Sequence, residues 1–354
     1  MRILQIVPFI NPGSGLGKYV LNLSAILADS GHEMGVITTH TSDFDYENAE
    51  LKTHKATCVG QLGHESKFMM YWKCKRLIER YNPDVVIINY DGTAQFILPF
   101  LSHRPKIVHI LHNNTSDFYR VGSINAKHVD GWIAPTQAIA DRFNEYTNGK
   151  YSSKVSVISH GVELPNIESN KQEDSKPELM FVGVHYQHKG VKLLPAIIEK
   201  LLEKGLDFHF TIVGKGELTT WLKDELQHHV TSGIVTFTGI IPSQDVYKLQ
   251  SRADIFVYPT HIDAFGLVIA EAMINGTVPV VTDLKGITDN LIEDGKNGFL
   301  LPQDNIDAFV DRISYLLTHP IMLATLKEQA KATALNKFTI DNMGCNYLNY
   351  LTSI

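Results

Sequence analysis

The sequence predicts an α/β chain built from two doubly wound parallel sheets, and three observations carry that prediction. Short β-type apolar runs alternate with helix-length segments along the 354 residues, the rhythm of repeated βαβ units. One stretch breaks the series: Asn166 to Glu178 (NIESNKQEDSKPE) holds a single apolar residue among charged, polar and proline residues and reads as a solvated linker. Glycine-rich motifs follow directly on strands in both halves, where ligands bind such sheets. The expected organisation is a Rossmann-like domain over 1–165, a linker over 166–178, a second Rossmann-like domain over 179–337, and a terminal segment over 338–354.

In the first half the strand-like runs are Arg2 to Pro8, Met34 to Thr39, Asp84 to Tyr90, Lys106 to Leu111, Gly131 to Pro135 and Val155 to Ser159. In the second half they are Leu179 to Val184, Phe208 to Val213, Ile234 to Thr238, Ile255 to Tyr258, Val278 to Val281 and Gly298 to Leu301. Near-continuous Val, Ile and Leu are expected where both faces of a parallel sheet are covered by helices. Two such sheets joined by one linker are expected to leave a ligand cleft between them.

Composition bounds the function. The chain is 44% hydrophobic, enough for two cores. Its 32 basic and 38 acidic residues give a net charge of −6, which argues against a globally basic nucleic-acid binder. Cys58, Cys74 and Cys345 form no CxxC spacing and leave one thiol over in any disulfide scheme, so free thiols, a reducing compartment and no structural zinc are expected. The run Met1 to Ile10 is interrupted by Pro8 and has no small-residue cleavage site after it, so it reads as a buried first strand. No window reaches the roughly 18 apolar residues of a membrane span. A cytoplasmic protein, at the inner face of the membrane, is the expectation.

After the first strand, Asn11 to Gly17 (NPGSGLG) leads into a helix from Tyr19 to Ala28. A strand-to-helix turn of this kind presents backbone N–H groups and a helix N-terminus to a phosphate. It is neither a Walker loop nor GxGxxG, since its glycine spacing is short and Tyr19 stands where a magnesium-binding hydroxyl belongs. In the second half, FVGVHYQHKG (181–190) again joins a strand to a helix, and Lys189 adds a cation suited to a diphosphate. The richest motif is YPTHIDAFGLVIAEAMING (258–276). There Asp263 precedes a helix, Glu271 lies about two turns on, and Phe265, Gly266 and Leu267 are expected to offer free N–H groups in the first turn. A glutamate among so many apolar residues needs a hydroxyl or cation partner.

Taken together these pieces resemble the retaining GT-B glycosyltransferases of family 4. The resemblance spans the chain: the N-terminal glycine loop, His112 at a strand end, ISHGV (158–162), Gly183 with Lys189 and Gly190, IVGKG (212–216), FTGIIP (237–242), Asp263-x7-Glu271, VPVV (278–281) and Gly295-x2-Gly298. It implies two domains facing each other across a cleft, with Phe338 to Leu351 as a helix crossing back to the first domain. By similarity Glu271 would hold the donor ribose, Asp263 the sugar hydroxyls, and Phe265, Gly266 and Leu267 the sugar and diphosphate. Lys189, with Gly190 behind it, would neutralise the departing diphosphate. Gly15, Leu16 and Gly17 would face the phosphates, His112 the transferred sugar, and Ile241 the nucleobase.

The activity so implied is transfer of a sugar from a nucleotide diphosphate donor to an acceptor hydroxyl with retention of configuration, in cell-surface polysaccharide or lipid-linked saccharide assembly. No metal and no other cofactor is expected. Two departures stand out: Asp263 replaces the family's usual glutamate, and Val184 replaces an arginine that clamps the diphosphate. His185, His188 or Lys215 are the candidates to restore that charge. The departures motivate an alternative, a degenerate GT-B subunit that binds nucleotide-sugar or glycan and supports a partner transferase.

Two other patterns read as bland. Asp43-Phe-Asp45 follows the second strand as a solvated loop, and His109 with His112 lacks the companions of a metal site. On the helix expected from Ser66 to Tyr81, Met70, Cys74, Leu77, Ile78 and Tyr81 share a core face. Phe68 and Trp72 project opposite, among Lys73, Lys75, Arg76 and Arg80, the composition of a helix that touches anionic lipid.

Overall fold

The computed structural model describes residues 1–11, 14–40, 49–63, 66–164 and 176–354. Two parallel sheets form as expected. The first contains β1 (Arg2–Val7), β2 (Glu33–Thr38), β3 (Ala56–Gln61), β4 (Val85–Asn89), β5 (Lys106–Ile110), β6 (Gly131–Ala134) and β7 (Val155–Val157), in the order β3-β2-β1-β4-β5-β6-β7. The second contains β8 (Glu178–Val182), β9 (His209–Val213), β10 (Val235–Gly239), β11 (Ile255–Tyr258), β12 (Val278–Thr282) and β13 (Phe299–Leu301), in the order β10-β9-β8-β11-β12-β13.

Strand order reverses beside β1 in the first sheet, whose neighbours are β2 and β4, and beside β8 in the second, whose neighbours are β9 and β11. Such switch points leave a crevice at the carboxyl ends of the strands. The central strands are buried on both faces, as in β4 (VVIIN) and β12 (VPVVT), which is why they read as unbroken apolar runs. Strand β3 was not expected. It is a half-buried edge strand, ATCVGQ, whose threonine, glycine and glutamine mask the apolar signal.

The chain divides into two compact units, Met1–Gly161 with Ile340–Ile354, and Val162–Thr339. Most of the predicted linker, 166–175, lies outside the described residues, as do Asp43 and Asp45. In the first unit the terminal helix Ile340–Ser353 lies against the helix Gly15–Asp29. A Cβ on Gly344 would come within 2.3 Å of Ile26, and the hydroxyls of Tyr19 and Tyr347 are hydrogen-bonded. Among the described residues no helix is long and apolar enough to cross a membrane, and none of the three cysteines is in a disulfide.

Candidate functional site

In the second unit the chemistry gathers where β8 and β11 end. After β11 the chain runs through Asp263 to Gly266, which caps the helix Leu267–Ile274 in a left-handed conformation, φ 89°. Asp263 is held from both sides. Its Oδ1 accepts from the N–H groups of Ala264 (2.8 Å) and Gly266 (3.0 Å), and more weakly from Phe265 (3.4 Å). Its Oδ2 accepts from Lys189 Nζ and from the Tyr258 hydroxyl, each at 2.9 Å. Lys189 also donates to the carbonyl of Ile262 at 3.1 Å.

Gly190 makes this placement possible. It ends the 3-10 turn Gln187–Lys189 at φ 70°, and a Cβ there would lie 1.8 Å from the Pro259 carbonyl, a position open to glycine alone. Burial by itself would raise the Asp263 carboxyl, but the Lys189 charge and the donated hydrogen bonds outweigh it and hold the group below the usual carboxylate range. Burial pulls Lys189 the other way as well, and the oxygens of Tyr258 and Asp263 overcome it, so the ammonium is stabilised. Both side chains are mostly buried, at 17% and 14% exposure.

Glu271 sits one turn further into the buried helix, only 4% exposed. The partner that sequence reasoning demanded exists: the Tyr247 hydroxyl donates to its Oε1 at 3.4 Å. Tyr247 itself is buried, and burial followed by the nearby Glu271 and Glu163 charges pushes its hydroxyl far above the usual range.

Two expectations need correction here. The N–H groups of Phe265 and Gly266 are not free, because the Asp263 carboxylate occupies them. Histidine is also the weaker candidate to restore the missing charge. His185 is fully buried with Nδ1 on the Thr219 hydroxyl at 3.0 Å. Burial lowers the pKa of His185 and of His188, and for both a nearby lysine lowers it further. Of the three candidates, Lys215 alone is a charged and exposed side chain. Val184 stands 44% exposed at the end of β8, and Ile240 is 76% exposed beside a half-buried Ile241 after β10.

The first unit presents a different edge. Gly15, Leu16 and Gly17 form the first turn of the helix Gly15–Asp29 rather than a loop before it, because Ser14 caps the helix and accepts the Gly17 N–H at 3.0 Å. A Cβ on Gly17 would meet the Asn11 carbonyl at 2.0 Å. His112, just past β5, bonds Asn89 Oδ1 through Nε2 at 2.9 Å, and its ring packs near Tyr19 and His160. Burial, then the neighbouring His160 and His109, hold its pKa well below the usual value, so the ring is neutral. His109 is fully buried against Gln95 and pushed down to about 3. Among the described residues no three metal-ligating side chains gather in either unit.

The helix predicted over Ser66 to Tyr81 forms as Lys67–Tyr81, with Cys74, Ile78 and Tyr81 inside. Phe68 is 79% exposed and Trp72 46%. The Arg76 guanidinium lies 4.6 Å from the Trp72 ring centre, Arg80 is exposed and Lys73 half-buried, and Lys75 is engaged with Glu79 at 2.7 Å. Sequence reasoning missed Phe96 and Phe100, both exposed next to this helix, with Phe96 stacked on Tyr71. It also missed Tyr258, Tyr247, Gln5 and Asn89. A polar residue inside an otherwise apolar strand, as in RILQIV of β1, was the signal for the third.

Comparisons with known proteins agree with this layout. The family model "Glycosyltransferase Family 4" matches residues 13–165, and "Glycosyl transferases group 1" matches 164–333. A phosphatidyl-myo-inositol mannosyltransferase of Mycolicibacterium smegmatis is 25% identical over 87% of this chain and 82% of its own length. The O-antigen chain mannosyltransferase C of Escherichia coli is 23% identical, over 100% and 99%. The solved structure of the Anabaena protein HepE in complex with UDP and glucose superposes with a TM-score of 0.82, at 18% identity over all of both chains. The two family models between them take in both units, and the chain belongs to the group 1 glycosyltransferases of GT-B architecture.

Proposed function

We propose that this chain transfers a sugar from a nucleotide diphosphate donor to an acceptor hydroxyl with retention of configuration and without a metal ion. The observation that carries the reading is the Lys189, Asp263 and Tyr258 cluster beside the buried Glu271 at the carboxyl ends of β8 and β11. The Lys189 ammonium is held in place by Asp263, the Ile262 carbonyl and Tyr258, a fixed point charge suited to neutralising a diphosphate. Glu271, buried beside the Tyr247 hydroxyl, suits the paired hydroxyls of a ribose. The helix beginning at Leu267 adds its positive dipole end.

In the reaction proposed, the acceptor oxygen bonds the anomeric carbon on the face from which the diphosphate leaves. The acceptor's proton passes to a donor phosphate oxygen. The protein's part is positioning and charge stabilisation of the leaving group. With Val184 in place of a guanidinium, Lys189 and Lys215 carry that stabilisation alone. The acceptor is a glycan or lipid-linked saccharide, a reading supported by one relative named for phosphatidyl-myo-inositol and another named for the O-antigen chain. Phe68, Trp72, Phe96 and Phe100, with Lys73, Arg76 and Arg80 around them, suit a peripheral contact with anionic lipid.

The test is incubation with a panel of nucleotide diphosphate sugars and saccharide-lipid acceptors in EDTA. The reading expects release of nucleoside diphosphate and a product of unchanged anomeric configuration. Donor binding without any turnover would favour the non-catalytic partner, and strict dependence on an added divalent cation would remove the metal-free mechanism.

A further inference from the structure

Gln5 lies in the middle of β1 and Asn89 at the end of β4, both fully buried, and their side chains join in one hydrogen-bonded line to His112. Gln5 Nε2 donates to the Val20 carbonyl at 2.9 Å and to the Ser24 hydroxyl at 2.8 Å. Ser24 donates in turn to the same carbonyl at 2.8 Å. Asn89 Nδ2 donates to Gln5 Oε1 at 3.2 Å, and His112 Nε2 lies 2.9 Å from Asn89 Oδ1.

One end of this line fixes the direction of every bond in it. A backbone carbonyl can only accept, so Gln5 must turn its Nε2 toward Val20 and its Oε1 toward Asn89. Asn89 must then offer Nδ2 to Gln5 and Oδ1 to His112. The imidazole nitrogen facing Oδ1 has to carry the proton. In a neutral ring the other nitrogen is then a lone-pair acceptor, and among the described residues His112 makes its side-chain hydrogen bond through Nε2 alone.

We propose that Gln5 and Asn89 are positioning residues which lock His112 in its Nε2–H tautomer, so that Nδ1 receives a hydroxyl proton donor from the bound saccharide. Burying two amides in a sheet is costly unless every polar atom is satisfied. Here that cost supports one defined face of one ring. A site of this kind demands a donor hydroxyl and discriminates against a sugar that lacks it. The second clause rests on the transferase reading above, whereas the tautomer itself does not.

The experiment is long-range imidazole 15N NMR on the full chain, with the His112 signals among the 16 histidines identified by their loss in His112→Gln. Wild type is expected to show Nε2 as the protonated nitrogen and Nδ1 as the pyridine-type one at neutral pH. The opposite assignment, or an even mixture, would overturn the proposal whether or not any activity is found. Asn89→Leu and Gln5→Met are each expected to shift the ring toward a mixture. A retained Nε2–H tautomer in both folded variants would contradict the relay. Where turnover is measurable, Asn89→Leu is expected to lower kcat roughly 10- to 100-fold, the scale of a misplaced contact group, with donor KM little changed. A variant that does not fold leaves the wild-type spectrum as the deciding result.

Discussion

The carboxyl edges of the two sheets share an architecture and differ in their chemistry. In the second unit the edge is ionic: Lys189 and Asp263 form a pair reinforced by Tyr258, and Glu271 is buried on a tyrosine hydroxyl. In the first unit the edge is neutral: an amide relay ends on a histidine that burial keeps uncharged. One fold thus carries an ionic edge, proposed to stabilise charge, and a neutral edge, proposed to read a hydroxyl. What differs is a few side chains placed where strands end, since the surrounding strands are equally apolar.

The comparison is broken most severely at Glu271. Glu271→Gln keeps the shape and the Tyr247 contact but removes the charge, and turnover is expected to fall by about 100-fold or more, the scale seen when a single stabilising group is lost. The unfolding midpoint should stay near wild type. Normal rates would take Glu271 out of the site.

Next comes the ion pair. Lys189→Met strands a mostly buried carboxylate and is expected to cost about 3 kcal/mol in urea unfolding. Adding Asp263→Asn should recover most of that stability and none of the turnover. Recovery of both would make the pair purely structural.

The neutral edge is tested by pH. The His109 ring titrates near 3 when folded, against 6.5 for the exposed group. The unfolded chain therefore binds a proton that the folded chain refuses, and stability is full above 6.5 and falls as pH drops below it. The expected loss from this ring is about 1.4 kcal/mol at pH 5.5. His109→Asn should flatten that part of the profile, and an unchanged slope would show that the ring is not the cause.

The smallest effect concerns the exposed aromatic surface. Phe68→Ser with Trp72→Ser is expected to weaken sedimentation with anionic vesicles roughly tenfold, the yield of a little over 1 kcal/mol of lost burial. Turnover on a soluble acceptor should not change. Equal binding by the double variant would leave these side chains as ordinary surface residues.

Much of this was legible in the chain. Strands buried on both faces announce themselves as apolar runs, so β1, β4 and β11 were placed to within a residue or two. The motif from Asp263 to Glu271 could be read because spacing on a helix fixes direction. What spacing could not give was partnership across the fold. Asp263 is taken up by Lys189, which lies 74 positions away, while its other oxygen occupies the Phe265 and Gly266 N–H groups that were expected to be free. His185 read as a spare cation because sequence does not show that its side chain is fully buried. Gln5 reads as an interruption of a strand until Asn89, 84 positions on, supplies the other half of its purpose. Edge strand β3 escaped because a half-buried strand needs little apolar content.

The most direct test of the account is calorimetric titration of nucleoside diphosphates into the wild-type chain and into Glu271→Gln, with EDTA present. The account predicts saturable binding of at least one nucleoside diphosphate to wild type and a loss of about tenfold or more in the variant, at least 1.4 kcal/mol. Equal affinity in both proteins, or no binding of any nucleoside diphosphate to wild type, would contradict a donor site built on Lys189, Asp263 and Glu271.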